Sequence, residues 1–277
     1  MPQPPLAKSL TVNGLKLHYL DWGGGGKQTI LLVHGFGGNS QNWAPFAERM
    51  RGDHRVVALD QRGHGDSDHA REGYPVTAFA ADLHGFVAGL GVAPVICIGN
   101  SLGARNSIAF AGQYPGDVAK LILLDGGPEI PEKVTSAFIA RLPQRPKSFP
   151  GEQAAIDYLK KGNPGHGDDF YRQVAANILR KNWVGQYIWK NDPETSWIYE
   201  SSVRQEAPYV WEQFARIACP TLVVQCEHGP DLPIGTAQKM AAMNPKARLV
   251  QVKGASHGLH QNKPEEFERI VREFLGK

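Results

Sequence analysis

Two tetrapeptides, Ile30-Leu31-Leu32-Val33 and Leu121-Ile122-Leu123-Leu124, are apolar at every position. A strand with one face in water alternates polar and apolar residues, so an uninterrupted apolar strand must be covered on both faces, as in the parallel sheets of α/β proteins. Further β-like runs lie at Ser9 to Val12, Leu15 to Asp21, Arg55 to Asp60, Val95 to Gly99, Thr221 to Gln225 and Arg248 to Val252; with Thr29 to His34 and Ala119 to Leu124 they make eight candidate strands. The first two read as a hairpin turning at Asn13-Gly14, a dipeptide that accepts the positive φ angles of a two-residue turn. From the third strand on, helical periodicity intervenes at Asn42 to Met50, Val76 to Leu90, Ala104 to Gln113, Thr236 to Met243 and Pro264 to Leu275. Strands alternating with helices predict a mostly parallel sheet flanked by helices.

The alternation stops between about Pro128 and Arg216, where there is no convincing strand and where four of the six tryptophans fall (Trp183, Trp189, Trp197 and Trp211). This stretch reads as a helical insertion after the sixth strand, residues 128–216, on a core made of residues 1–127 and 217–277. An insertion there can fold over the carboxyl ends of the strands, where open α/β sheets bind ligands. Trp183 and Trp189 are accordingly candidates to line a substrate pocket under a lid.

The formal charge of +3 comes from 30 basic and 27 acidic residues spread without a basic block, which argues against nucleic-acid binding. No apolar run reaches the roughly 20 residues that span a bilayer, and Met1 to Ser9 lacks the apolar core of a signal peptide, so a cytoplasmic location is expected. Cys97, Cys219 and Cys226 are expected to be reduced and structural. The chain has no HExxH, no paired CxxC and no GxGxxG opening a first βα unit, so neither a metal nor a nucleotide cofactor is expected. Gly23 to Gly26 reads as a flexible surface turn. Nothing in the sequence bears on oligomeric state.

The sharpest local signal is Gly99-Asn100-Ser101-Leu102-Gly103, between an apolar strand and a helical run. A serine on a tight strand-to-helix turn projects its hydroxyl above the sheet, and the flanking glycines let strand and helix approach. Ser101 is the candidate nucleophile. A serine hydroxyl needs a base to take its proton. His257, in the loop after the strand Arg248 to Val252, is the candidate; His260 is its rival, and His34, His64 and His84 are not expected to serve. The oxyanion of an acyl-transfer intermediate needs preorganised donors, worth roughly 3 kcal/mol each. The backbone N–H groups of Leu102 and Phe36 are the candidates.

These segments, taken with His34-Gly35-Phe36-Gly37-Gly38 and the following Trp43, Asp60-Gln61-Arg62-Gly63-His64-Gly65-Asp66-Ser67, and Asp125-Gly126-Gly127-Pro128-Glu129, resemble the α/β-hydrolase-fold enzymes of the esterase, lactonase and carbon–carbon hydrolase type. The resemblance covers nearly the whole chain and implies a Ser–His–acid triad. In most of that family the acid follows the seventh strand, roughly 27 or 28 residues before the histidine, which here lands on Pro230 or Gly229. Neither can serve. Asp231 lies just beyond, Asp125 occupies the family's other acid position after the sixth strand, and Glu227 is a third possibility. Asp60, Arg62 and Asp66 are expected to order loops. The implied activity is cofactor-free serine hydrolysis of a small or medium apolar carboxylic ester. Carbon–carbon bond or enol-lactone hydrolysis is the alternative, with cofactor-free oxygenation of a heteroaromatic ring or a ligand-binding hydrolase-like receptor behind it.

Overall fold

The two fully apolar runs lie inside one eight-stranded sheet. A computed structural model describes residues 3–26, 28–162, 164–165 and 167–276; residues 1 and 2 of the N-terminal segment Met1 to Ser9 lie outside the described residues. The strands are β1 (Leu6–Val12), β2 (Leu15–Gly23), β3 (Thr29–Val33), β4 (Arg55–Leu59), β5 (Val95–Asn100), β6 (Val118–Leu124), β10 (Thr221–Cys226) and β11 (Ala247–Val252), with three short strands, β7 (Ser148–Phe149), β8 (Leu179–Lys181) and β9 (Tyr187–Trp189), between β6 and β10. The large sheet runs in the order β1-β2-β4-β3-β5-β6-β10-β11. β1 and β2 pair antiparallel, as do β2 and β4, and every later pairing is parallel. All eight strands expected from sequence are present. Asn13 and Gly14 both take positive φ at the first hairpin.

Successive residues of the central strands feed two different cores. Leu31, Val33, Cys97, Leu121 and Leu123 join the cluster on one face, with Leu83 and Phe86 of the helix Val76–Leu90 and Ile108 and Phe110 of the helix Leu102–Gln113. Ile30, Leu32, Ile96, Ile98, Ile122 and Leu124 join the other, against Phe46 and Met50 of the helix Ala44–Met50 and Phe267 and Val271 of the helix Pro264–Leu275. Each such side chain contributes roughly 1.5–3 kcal/mol of transfer free energy.

Two features depart from the sequence reading. The inserted stretch is not wholly helical: β7, β9 and β8 form a three-stranded antiparallel sheet. These strands are two or three residues long, too short for an alternating pattern to show. The helix Ala207–Arg216, placed with the insertion on sequence, packs its buried Val210 and Phe214 into the same core cluster as Ile108 and Phe110. Gly24 to Gly26 lie exposed between β2 and β3, where the surface turn was read, and a Cβ at Gly24 or Gly26 would lie 2.1 Å from the carbonyl oxygen of His54 or Asp53, respectively. The three cysteines carry no disulfide, and burial raises the Cys97 and Cys226 thiols to about 12.

At the carboxyl end of β5 the chain turns abruptly into the helix Leu102–Gln113, and glycines make the approach feasible. A Cβ on Gly103 would lie 2.2 Å from the Val33 carbonyl oxygen, and one on Gly99 would lie 2.4 Å from that of Gly103. Both contacts are with backbone, which cannot swing aside. Gly103→Ala is expected to destabilise the protein by on the order of 3 kcal/mol, the upper range for forced overpacking. A urea melt showing an unchanged midpoint would contradict this packing.

Candidate active site

Ser101 stands at the point of that turn with φ +54° and ψ −118°, a left-handed conformation costly for any residue with a Cβ. Its N–H donates to the Leu124 carbonyl at 3.0 Å, so the strained residue is tied to the neighbouring strand β6. The side chain projects above the sheet into a cavity of about 330 Å³ that also touches Phe36, Asn42, Tyr199, Asp231 and His257.

His257 arrives from the loop after β11. Its Nδ1 lies 2.7 Å from Oδ2 of Asp125, whose carboxyl is fully buried. Asp125 follows β6 directly and also has positive φ, 42°; its N–H donates to the Val224 carbonyl at 2.8 Å, and its Oδ1 accepts from the Cys226 N–H at 3.3 Å. A Cβ on Gly229 would sit 1.9 Å from Oδ2 of Asp125. The carboxylate of Asp125 therefore fills the space beside the loop in which the more usual acid was sought, and residue 229 can carry no side chain there.

Asp231 is placed differently. Its Oδ2 accepts a 2.6 Å hydrogen bond from the Ser101 hydroxyl and lies 3.6 Å from Nε2 of His257. Two carboxylates thus flank the imidazole, Asp125 on Nδ1 and Asp231 on Nε2. Burial by itself would lower the pKa of His257, but the hydrogen bond to Asp125 and the charges of Asp231 and Asp125 outweigh it and hold it above the ordinary value. Burial raises the Asp231 carboxyl, against the opposing pull of His257 and the Ser101 hydrogen bond. Glu227 instead caps the Gly254 N–H at 2.7 Å.

His260, the rival base, is buried and packs against Trp43 with ring centroids 4.2 Å apart and the planes tilted by 38°. Desolvation lowers its pKa to about 3, so it stays neutral, and the carboxylates contact His257 instead. His34 is a loop clip: Nδ1 meets the Gly35 carbonyl at 2.7 Å and Nε2 accepts from the Gln61 N–H at 3.0 Å. Leu102 is the first residue of its helix, where an N–H has no intrahelical acceptor. Phe36 follows Gly35, at which a Cβ would come 3.1 Å from that of Ser101, so the loop after β3 passes directly over the serine.

The aromatic wall of the cavity is not the one expected. Trp183 is 95% exposed at the tip of the β8–β9 hairpin. Trp189 donates to the Pro146 carbonyl at 2.7 Å and packs with Phe149 and Tyr158, inside the insertion's own small cluster. Neither lines the cavity. Phe138 and Val134, from the helix Glu132–Arg141, and Tyr199, from the π-helical turn Ile198–Ser202, do. Arg105, buried one helical turn after Ser101, holds that turn by donating to the Ser202 carbonyl at 3.0 Å and pairing with Glu206 at 3.3 Å. An arginine four residues after Ser101 was the signal in the sequence for this anchor, and sequence reading passed over it.

Asp60 accepts from the N–H groups of Ser40 and Asp66 and contacts His18 at 2.8 Å, while Arg62 grips Asp82 through two hydrogen bonds. The pairing of β2 with β4 brings His18, Asp60 and Asp66 close enough to chelate an ion, a proximity that their spacing in sequence does not reveal. Their oxygens and ring nitrogen are engaged with one another, with backbone N–H groups and, for Asp66, with Lys190 at 2.8 Å.

The profile of the alpha/beta hydrolase family matches residues 30–270. The chain belongs to the alpha/beta hydrolase family. Among curated members it is 26% identical to a non-heme chloroperoxidase of Kitasatospora aureofaciens, over 96% of this chain and 98% of that one. It is likewise 26% identical to the 2-(acetamidomethylene)succinate hydrolase of Mesorhizobium japonicum, over 98% and 95%. The crystal structure of an E-2-(acetamidomethylene)succinate hydrolase superposes with a TM-score of 0.86 at 24% identity, covering 99% of this chain and all of that one. Among the described residues of this hydrolase no helix is long and apolar enough to cross a membrane.

To act as the base for Ser101, His257, held above its ordinary pKa, would first have to lose its proton. The acid limb of kcat/KM is therefore expected to fall away below a pKa higher than the ordinary imidazole value of 6.5. Asp231→Asn should move that limb to lower pH, because one of the charges holding the proton is gone. A limb that stays in place would show that Asp231 does not act on His257.

Proposed function

We propose that this alpha/beta hydrolase is a cofactor-free serine hydrolase cleaving a small carboxylic ester through an acyl-enzyme on Ser101. The observation that carries the reading is the 2.7 Å contact between His257 Nδ1 and the buried Asp125 carboxylate. It fixes the imidazole with Nδ1–H donating, which leaves Nε2 as the basic nitrogen on the side of Ser101. In the first half-reaction His257 takes the Ser101 proton, Oγ bonds to the carbonyl carbon, and the oxyanion is met by the N–H groups of Leu102 and Phe36. The ester C–O bond then breaks and His257 returns the proton to the leaving alkoxide. Water attacks the acyl-enzyme by the same route, releasing the carboxylic acid and restoring Ser101.

The cavity supports a small substrate. No lysine or arginine lines it among the described residues, and Asp231 is part of its lining. A succinate of the kind named for the Mesorhizobium japonicum relative would bring carboxylates beside Asp231 with no lysine or arginine to pair them among the described lining residues, which favours an uncharged acyl group over a dicarboxylate.

The same His257–Asp125 contact favours a second reading, since such a dyad can also remove an acidic proton from a heteroaromatic ring ahead of oxygenation without a cofactor. Oxygen uptake with loss of such a substrate in the Ser101→Ala variant would select it.

p-Nitrophenyl esters from acetate to decanoate test the main reading. Hydrolysis is expected to peak at the short chains, to vanish in Ser101→Ala, and to drop in kcat by about 10⁴ in Asp125→Asn. Undiminished turnover by Ser101→Ala would refute it.

A further inference from the structure

Asp231 is an unusual neighbour for a nucleophile. Its carboxylate is almost fully buried, holds the Ser101 hydroxyl at 2.6 Å and opens onto the cavity. An anion at this point opposes negative charge developing on the substrate carbonyl oxygen and draws the Ser101 proton away from His257. His257 becomes a positive neighbour once it carries the Ser101 proton, at 3.6 Å from Asp231; before that transfer, with the imidazole neutral, a positive group on the substrate is what can stand beside the Asp231 carboxylate.

Aromatic side chains in the same cavity supply the rest of a cation site. Phe36, Phe138 and Tyr199 pack against one another with ring centroids 4.8, 4.9 and 4.3 Å apart, mostly edge to face, and all three line the cavity. Aromatic faces attract ammonium groups, and the buried carboxylate of Asp231 shares the cavity with these rings. Besides Asp231 and His257, the polar side chains on the cavity surface include Asn42, Asn100 and Gln261, which carry dipoles and no charge, and His260, held neutral by its burial.

We propose that the cavity is specific for a substrate bearing an ammonium group near its scissile ester, with Asp231 as the counter-ion and Phe36, Phe138 and Tyr199 as the aromatic wall. This rests on the ester-hydrolase reading for the chemistry, although the charge preference is a property of the cavity alone. An ammonium paired with Asp231 competes for the oxygen that accepts from Ser101, so the hydroxyl proton is released toward His257. Substrate charge then acts on kcat as well as on binding.

The test uses isosteric pairs that differ only in charge. Calorimetric titration should show choline binding at least about tenfold more tightly than neutral 3,3-dimethylbutanol, with the preference lost in Asp231→Asn. Phe138→Leu, which roughly keeps volume and removes an aromatic face, should narrow the ratio of choline to neutral-alcohol affinity several-fold, and it serves in place of Asp231→Asn should that variant not fold. Acetylcholine should likewise be turned over at least about tenfold faster in kcat/KM than 3,3-dimethylbutyl acetate. Equal binding of the two alcohols, tighter binding of the neutral one, or a preference that survives both substitutions would overturn the proposal. Cation-selective binding without turnover of either ester would overturn the ester-hydrolase reading and leave the charge preference standing. Hydrolysis of the neutral ester without cation preference would do the reverse.

Discussion

The left-handed backbone of Ser101 is the constraint around which the site is arranged. A residue with a Cβ holds φ +54° only because its surroundings leave no alternative. β5 lies between β3 and β6 at the centre of the sheet, the helix Leu102–Gln113 is pressed onto the strands at Gly99 and Gly103, and Gly126 comes so near that a Cβ on it would lie 2.5 Å from the Ser101 carbonyl oxygen. The two hydrophobic clusters on either face of the sheet hold this junction together, and the strain points the hydroxyl into the cavity.

The second constraint is the occupancy of one small volume behind His257. Asp125 reaches it from β6, and Gly229 on the facing loop leaves it room. In that sense the acid and the glycine are one feature. With the imidazole held from behind, Asp231 is free for a different place, in front of Nε2 and against the nucleophile. The resulting order is carboxylate, imidazole, carboxylate and serine, with Asp231, His257 and Ser101 all on the cavity wall.

Sequence alone carried the architecture well, for physical reasons that differ by element. The central strands are apolar at every position because they are buried on both faces, and this pattern is visible without any tertiary information. Ser101 and His257 were legible because a tight strand-to-helix turn and a loop after the last strand are local events. The partner of His257 was not, because the choice between Asp125 and Asp231 depends on which carboxylate points to Nδ1, a contact spanning 132 residues. The cavity wall was missed for a related reason. Large aromatics signal burial, not address, and Trp189 is used inside the insertion while Trp183 lies in solvent; the wall comes from Phe36, Phe138 and Tyr199, whose sequence surroundings look unremarkable. The small sheet in the insertion and the return of the helix Ala207–Arg216 to the core likewise depend on packing between distant segments.

The central claim, that Ser101 carries the acyl group with His257 and Asp125 behind it, is tested most directly by trapping the intermediate. Rapid acid quench of the protein mixed with p-nitrophenyl acetate, followed by mass analysis of its proteolytic peptides, should find one acetyl group on Ser101, formed in a burst that is suppressed in His257→Ala. A peptide map with Ser101 unmodified while product accumulates, or with the acetyl group on another residue at the burst amplitude, would contradict it.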